Sequence, residues 1–272
     1  MVVILIVPIV SGLRLSFFQW QLRDIAKAPT FVGFRNYGEL FSNEYFWESV
    51  KVTIMFTASV VSLEIIAGMI LALLLEEGVA GLRLFRTLFI LPIMVAPVVV
   101  GVMWRFMYNP AYGKLNYFIT SMGFEPVGWL SDPSIALFSV IISEVWQWTP
   151  FVFLLCLAGL QGVPKELSEA ATVDGANYLQ MLFRVKLPYM ASIIGITAVL
   201  RLIDAFRSLV VILNLTNGGP GVSTEVLSLH LYKLAFTGQR LGLASTVAVI
   251  LLLLIVCLSI FLIVKSVRRE ER

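Results

Sequence analysis

The chain has 272 residues, of which 59% are hydrophobic and 14% charged, with a net charge of +3. Soluble domains hold about 45–50% apolar and about 25% charged residues, so this composition excludes an ordinary soluble domain and points to a membrane protein. The small charge excess forms no basic stripe, which speaks against a nucleic-acid partner.

A membrane-spanning helix needs about 20 predominantly apolar residues. In chain order, the first apolar run covers about 2–17. No basic residue precedes it, as one would in a secretory signal. It continues into an aromatic flank, Phe17-Phe18-Gln19-Trp20, and reads as a first membrane helix. Runs at 52–75, 88–107, 135–160, 190–213 and 241–264 follow. The expected fold is an all-α membrane protein of six transmembrane helices, forming a single transmembrane domain over 1–272. The connections "FVGFRNYGELF" and "NPAYGKLNYF" carry aromatics that suit the membrane–water interface.

Six spans put both termini on one side. The tail basic residues Lys265, Arg268, Arg269 and Arg272 place that side in the cytoplasm. The connections holding Arg83 and Arg86, and Lys165, Arg184 and Lys186, then face the cytoplasm too. Outer connections carry Arg23, Lys27, Arg35, Lys114, Lys233 and Arg240, spread over longer loops.

Ionisable residues at membrane depth are expensive unless paired or wetted, so each is a functional candidate. Glu64 lies mid-way along the second run and Glu144 in the fourth. Arg201, Asp204 and Arg207 recur at i, i+3 and i+6 in the fifth, which lets both arginines flank Asp204 on one helix face. Two readings stand for this trio: a solute-lined cavity, or an ion-pair cluster that fixes helix packing. In the fourth run, Trp146, Gln147 and Trp148 could stack on and hydrogen-bond a sugar ring, or simply pack between helices. Asn214 could contribute at the outer end of the fifth. Cys156 and Cys257 lie in apolar runs, and the single His230 lies in a polar connection. No metal-ligand spacing and no catalytic set emerges.

One polar stretch interrupts the apolar pattern between 161 and 188. Pro164 suits the first turn of a helix, and Glu166 and Glu169 sit near its positive end. Leu167, Ala170 and Ala171 share a face, and Gly175 can end the helix in a left-handed conformation. A second short helix, 176–184, can follow before Pro188. From the pattern alone, an amphipathic helix lying in the lipid interface is the lesser, competing description.

The spacing Glu169-Ala170-Ala171, three residues, Gly175, nine residues, then Val185-Lys186-Leu187-Pro188 resembles the EAA loop of ATP-binding-cassette importer permeases. Asp174 before the glycine is also typical of it. "FVGFRNY", "GLQGVPKELSEAA", "RLIDAFR" and "LTNGGPG" are similar to the carbohydrate-uptake branch of that family. The resemblance covers nearly the whole chain and departs from the family at the start, where a basic tail and a longer first helix are usual.

The resemblance implies a permease in a bacterial cytoplasmic (inner) membrane. It would move a sugar, oligosaccharide, polyol or related solute such as glycerol phosphate. Its implied partners are a second homologous permease, a dimer of cytoplasmic ATPases, an extracytoplasmic solute-binding protein and the lipid bilayer. The loop 161–188 would be a coupling helix seated in the ATPase. There Glu169 meets a basic group, Ala170 and Ala171 keep the contact close, and Asp174 and Gly175 make the turn. ATP and Mg would bind the partner ATPase and no cofactor this chain, which contains no GxxxxGK[ST] phosphate loop. The competing reading is an ion-coupled secondary transporter using Glu64, Glu144 and Asp204. A membrane enzyme is a weaker rival.

Overall fold

The computed structural model describes residues 2–24, 26, 28–76 and 82–270. Lys27 and Arg272 of the expected charge pattern lie outside the described residues, as do the side chains of Arg83, Arg86, Lys265, Arg268 and Arg269.

The described chain is built mainly from helices. They are α1 (Val2–Leu15), α2 (Arg35–Phe41), α3 (Glu44–Leu74), α4 (Leu82–Met94), α5 (Pro97–Met107), α6 (Lys114–Ser121) and α7 (Pro133–Gln161). After them come α8 (Lys165–Val173), α9 (Tyr178–Met181), a π-helical turn (Leu182–Lys186), α10 (Leu187–Tyr189) and α11 (Ala191–Phe206). The last are α12 (Val210–Leu215), α13 (Leu227–Tyr232), a second π turn (Lys233–Thr237) and α14 (Leu241–Glu270). A short antiparallel pair, β1 (Phe18–Gln19) and β2 (Thr30–Phe31), sets Phe18 opposite Phe31.

Among the described residues, three helices can cross a membrane by length and composition: α3, α7 and Leu241–Val264 of α14. The number rises to five if each of two broken pairs is one span, and the shorter apolar stretch Ile6–Leu15 stands apart. Nearly all of the apolar window of α14 is left uncovered by the chain, as expected of a helix that meets lipid or another subunit.

Two expected runs are not continuous rods. The run 88–107 is divided, with α4 ending at Met94 and α5 starting at Pro97. Proline disfavours helical geometry at the preceding Ala96 but suits the first position of the next helix. The run 190–213 stops at Phe206. Residues 207–209 leave the helix, and the Ser208 carbonyl accepts a hydrogen bond from the Ser228 hydroxyl at 2.5 Å.

The Cα framework forms two compact units. The first comprises Met1–Thr57, Pro97–Ile141 and Phe206–Cys257. Phe46, Phe56, Val100, Tyr108, Ile212, Leu227 and Val247 are buried there, and α12 packs on α5. Two buried asparagines tie down its loops. Asn36 donates to the Ser16 and Phe18 carbonyls at 2.8 and 3.0 Å. Asn116 donates to the Val127 carbonyl and accepts from the Val127 amide and the Trp129 indole. All but the indole bond satisfy backbone groups that would otherwise be costly to bury.

The second unit comprises Ala58–Ala96, Ile142–Ala205 and Leu258–Arg272. Its core gathers Met69, Ala72, Val152, Phe153, Cys156, Leu157, Leu160 and Met190. The loop and the intramembrane charges expected from the sequence fall almost entirely within this unit.

Candidate functional site: an uncovered helical loop and a buried arginine

The loop after α7 folds as a chain of short helices whose ends are closed by local bonds. Pro164 sits at the cap position of α8, one residue before the first helical position. At the other end Gly175 has φ +80°. Its amide donates to the Thr172 carbonyl at 3.0 Å, and the Ala176 amide reaches back to Ala171 at 2.9 Å. This is the Schellman arrangement, which satisfies the last carbonyls and reverses the chain. Asn177 then opens α9 with a capping box: its side chain accepts from the Gln180 amide, and the Gln180 side chain accepts from the Asn177 amide, both at 2.9 Å.

The geometry of the loop is thus encoded locally, but its stability is not. No residue of α8 is buried. Glu169, Ala170, Asp174 and Gly175 are exposed and Ala171 is half-buried. Leu167, Val173, Tyr178, Leu179 and Phe183 are exposed too, and Val173 keeps 87% of its surface. A nine-residue helix without a packed face is marginal in water, so this apolar surface is suited to being covered.

The intramembrane charges meet around Arg201 of α11, which is fully buried. Its Nε and Nη2 donate to the two carboxylate oxygens of Glu64 in α3, at 2.6 and 2.9 Å. This two-pronged geometry is the strong form of an arginine–carboxylate contact. Glu144 of α7 lies 3.8 Å from Nη2, and Asp204 lies 3.6 Å from Nη1. The Arg201 guanidinium also stacks over the Trp148 ring, with Cζ 4.4 Å from its centroid, in cation–π range. Glu64 and Glu144 are buried, whereas the Asp204 side chain is 45% exposed.

The expected trio of Arg201, Asp204 and Arg207 is therefore not what assembles. Arg207 lies beyond the end of α11, is exposed, and makes no ion pair with Asp204 among the described residues. Helical spacing placed Asp204 between two arginines, but the helix ends before the second of them. A tertiary contact supplies Glu64 instead.

The remaining candidates are dispersed. Gln147 is buried and donates to the Val95 carbonyl at 3.2 Å, while its own carbonyl oxygen has no hydrogen-bond partner among the described residues. Trp146 lines an apolar cavity of about 540 Å³ together with Leu88, Pro92 and Pro150. Asn214, in α12, donates to the Val210 carbonyl at 2.7 Å.

A further cluster went unread in the sequence. In the first unit, Glu225 accepts from His230 Nδ1 at 2.8 Å and from Lys233 Nζ at 2.6 Å. The glycine-rich turn lies against it. Gly218 has φ +88°, and a Cβ there would sit 2.8 Å from Lys233 Nζ. The legible signal was the spacing of Glu225, His230 and Lys233 in one polar connection; taken alone, His230 carried none. Burial pushes the Glu225 carboxyl up, but the hydrogen bonds from His230 and Lys233 and the Lys233 charge together hold it below the ordinary 4.5. The folded state thus binds this proton less tightly than the unfolded chain. The pairing stabilises fully above about pH 4.5 and is lost as pH falls below it. Thermal melts of the purified protein should therefore decline with acidification below pH 4.5, and Glu225→Gln should flatten that dependence. An unchanged pH profile in Glu225→Gln would show that another carboxylate governs it.

With this geometry in hand, the resemblance can be tested against known proteins. Residues 64–272 match the family described as "Binding-protein-dependent transport system inner membrane component". The chain is 37% identical over 259 residues to "Probable ABC transporter permease protein y4oQ" of Sinorhizobium fredii, covering 95% of this chain and 84% of that one. It is 36% identical over 271 residues to "Trehalose/maltose transport system permease protein MalF" of Thermococcus litoralis, covering 98% and 90%. The fold is similar to a chain of a bacterial ABC transporter involved in the import of alginate, with TM-score 0.78, 24% identity, and coverage of 88% and 84%. The chain belongs to the family of binding-protein-dependent transport system inner membrane components, and is a permease of the ABC importer kind.

Proposed function

We propose that this permease is one of two homologous membrane subunits of an ATP-driven importer for a sugar, oligosaccharide, polyol or related solute. It forms a single domain of six spans in the cytoplasmic membrane, with both termini in the cytoplasm. A dimer of ATPases carries the ATP and Mg, and an extracytoplasmic binding protein delivers the solute. The loop 161–188 is the coupling element. Glu169 faces a basic group of the ATPase, Ala170 and Ala171 allow close approach, and Asp174 and Gly175 set the turn.

One observation carries the coupling role: α8 is shaped by its own caps yet has no buried residue, while apolar Leu167, Val173 and Leu179 stay uncovered. A docking groove supplies the missing packing. The name of the Thermococcus relative supports a carbohydrate solute. Arg201, Glu64 and Glu144 act as a packing strut, because two Arg201 donors are directed at the Glu64 carboxylate and the guanidinium lies over a tryptophan ring of the same unit. Asp204, being half exposed, is the member of that set able to meet a solute. Family membership decides against the ion-coupled alternative.

The test is reconstitution in liposomes. The chain alone should hydrolyse no ATP. The complex with its permease partner, ATPases and binding protein should take up labelled trehalose, maltose, a polyol or glycerol phosphate in an ATP-dependent way. ATP hydrolysis by the isolated chain would overturn the assignment.

A further inference from the structure

A lever works only if something links it to the helices it moves. The loop's own bonds are local: the Schellman turn at Gly175 and the capping box at Asn177 and Gln180 join it to itself. Among the described residues, one ion pair joins the loop to another segment of its unit. Lys186 Nζ donates to both carboxylate oxygens of Glu76 at 2.8 Å. The side chains keep only 11% and 20% of their surface, so the contact is largely shielded from water.

The positions of the two residues give this contact its meaning. Glu76 lies two residues beyond the end of α3, the 31-residue apolar helix that carries Glu64. Lys186 closes the π turn Leu182–Lys186, at the point where the loop becomes α10 and α11. Pro188 follows within two residues. It has no N–H to offer the Arg184 carbonyl, and a widened turn is one way for a helix to absorb that defect. Tyr178–Tyr189 and Ala191–Phe206 then meet at a bend of 64°. The salt bridge thus braces a bent, locally irregular junction against the end of a long helix.

We infer that the Lys186–Glu76 pair is the transmission contact through which displacement of the loop is passed to α3; this rests on the loop being the ATPase-coupling element. Both residues are positioning residues, since each acts through the segment that carries it, the π turn for Lys186 and the end of α3 for Glu76. A charge pair with low exposure resists sliding, because separating its partners strands each charge in a poorly hydrated place. The apolar side chains of Leu75 and Leu187, packed on the same core beside it, are free of that penalty when they slide.

The experiment uses the reconstituted complex with maltose as probe, and reads uptake per ATP hydrolysed, normalised to assembled transporter. Lys186→Met keeps the stem of the side chain and removes its charge, and Glu76→Gln removes the other partner. Each should lower uptake per ATP by about tenfold while stimulated hydrolysis persists. The exchange Lys186→Glu with Glu76→Lys should restore most of the ratio. A purely structural pair would reduce the amount of assembled complex and leave the ratio unchanged, which would overturn the inference. So would a normal ratio in Lys186→Met alongside a defect in Glu169→Lys, with the loop still identified as the coupling element. If Glu169→Lys and Lys186→Met are both silent, the coupling reading itself falls, and this inference with it.

Discussion

Arg201→Met is expected to be the most damaging single change in the second unit, destabilising it by about 3–5 kcal/mol. Two consequences combine. The Glu64 carboxylate, fully buried, loses both of its donors, at 2.6 and 2.9 Å. Glu144, 3.8 Å from the same guanidinium, loses that positive charge too. Methionine fills much of the volume but leaves the buried Glu64 carboxylate without the guanidinium that neutralises it. Pairing Arg201→Met with Glu64→Met should recover a large part of the loss, since an apolar replacement of both partners of a buried ion pair is often neutral or stabilising. Asp204→Ala is expected to behave quite differently. Its side chain is half exposed and Arg201 keeps its bond to Glu64, so the cost should stay below about 1 kcal/mol. Thermal shifts of the detergent-solubilised protein, with size-exclusion profiles, measure all three. If Arg201→Met melts within a degree or two of Asp204→Ala, the strut description fails.

Gly175→Val and Glu169→Lys should abolish most uptake by two independent routes. Gly175 has φ +80°, where a β-branched residue is strongly disfavoured. A Cβ there would meet nothing within 4 Å, so the penalty is one of backbone conformation, about 1–3 kcal/mol, and not of crowding. Gly175→Asn should therefore be the mildest substitution, because asparagine tolerates this conformation best. Glu169 is exposed, and its change to lysine should leave the melting temperature of the isolated chain alone. Against a basic groove it should weaken docking by about 1–3 kcal/mol. Binding of solute to the external receptor should persist in both variants while uptake and stimulated hydrolysis fall together. A cysteine at Ala170, exposed on α8, should cross-link to one in the ATPase groove with an efficiency that changes on adding ATP. Wild-type transport in both variants, with no cross-link, would leave the loop an interfacial helix.

What could be read from the sequence follows the range of the interactions involved. Apolar runs of about twenty residues announce helices, and α3, α7 and α14 appear where those runs lie. The loop at 161–188 was legible in the same way. A glycine at φ +80° and an Asn–Gln capping box act over three to six residues, so the chain specifies them without help. The EAA spacing carried the family for the same reason: it records a short-range shape.

Interactions between distant segments were decided by the tertiary structure. Helical periodicity assigned Arg201 and Arg207 to Asp204, because only neighbours on one helix are visible in sequence. Glu64 lies 137 positions from Arg201, and Lys186 lies 110 positions from Glu76. No local rule brings such residues together. The same limit explains the divided runs. Apolar composition reports affinity for lipid but not backbone continuity, so the break before Pro97 and the end of α11 at Phe206 went unread. The sequence alone determined that this chain enters a membrane and carries a polar loop of short helices that turns at Gly175. Only the folded chain decided which charges neutralise one another, because at low dielectric a buried charge is tolerated solely by the partner that three-dimensional packing brings to it.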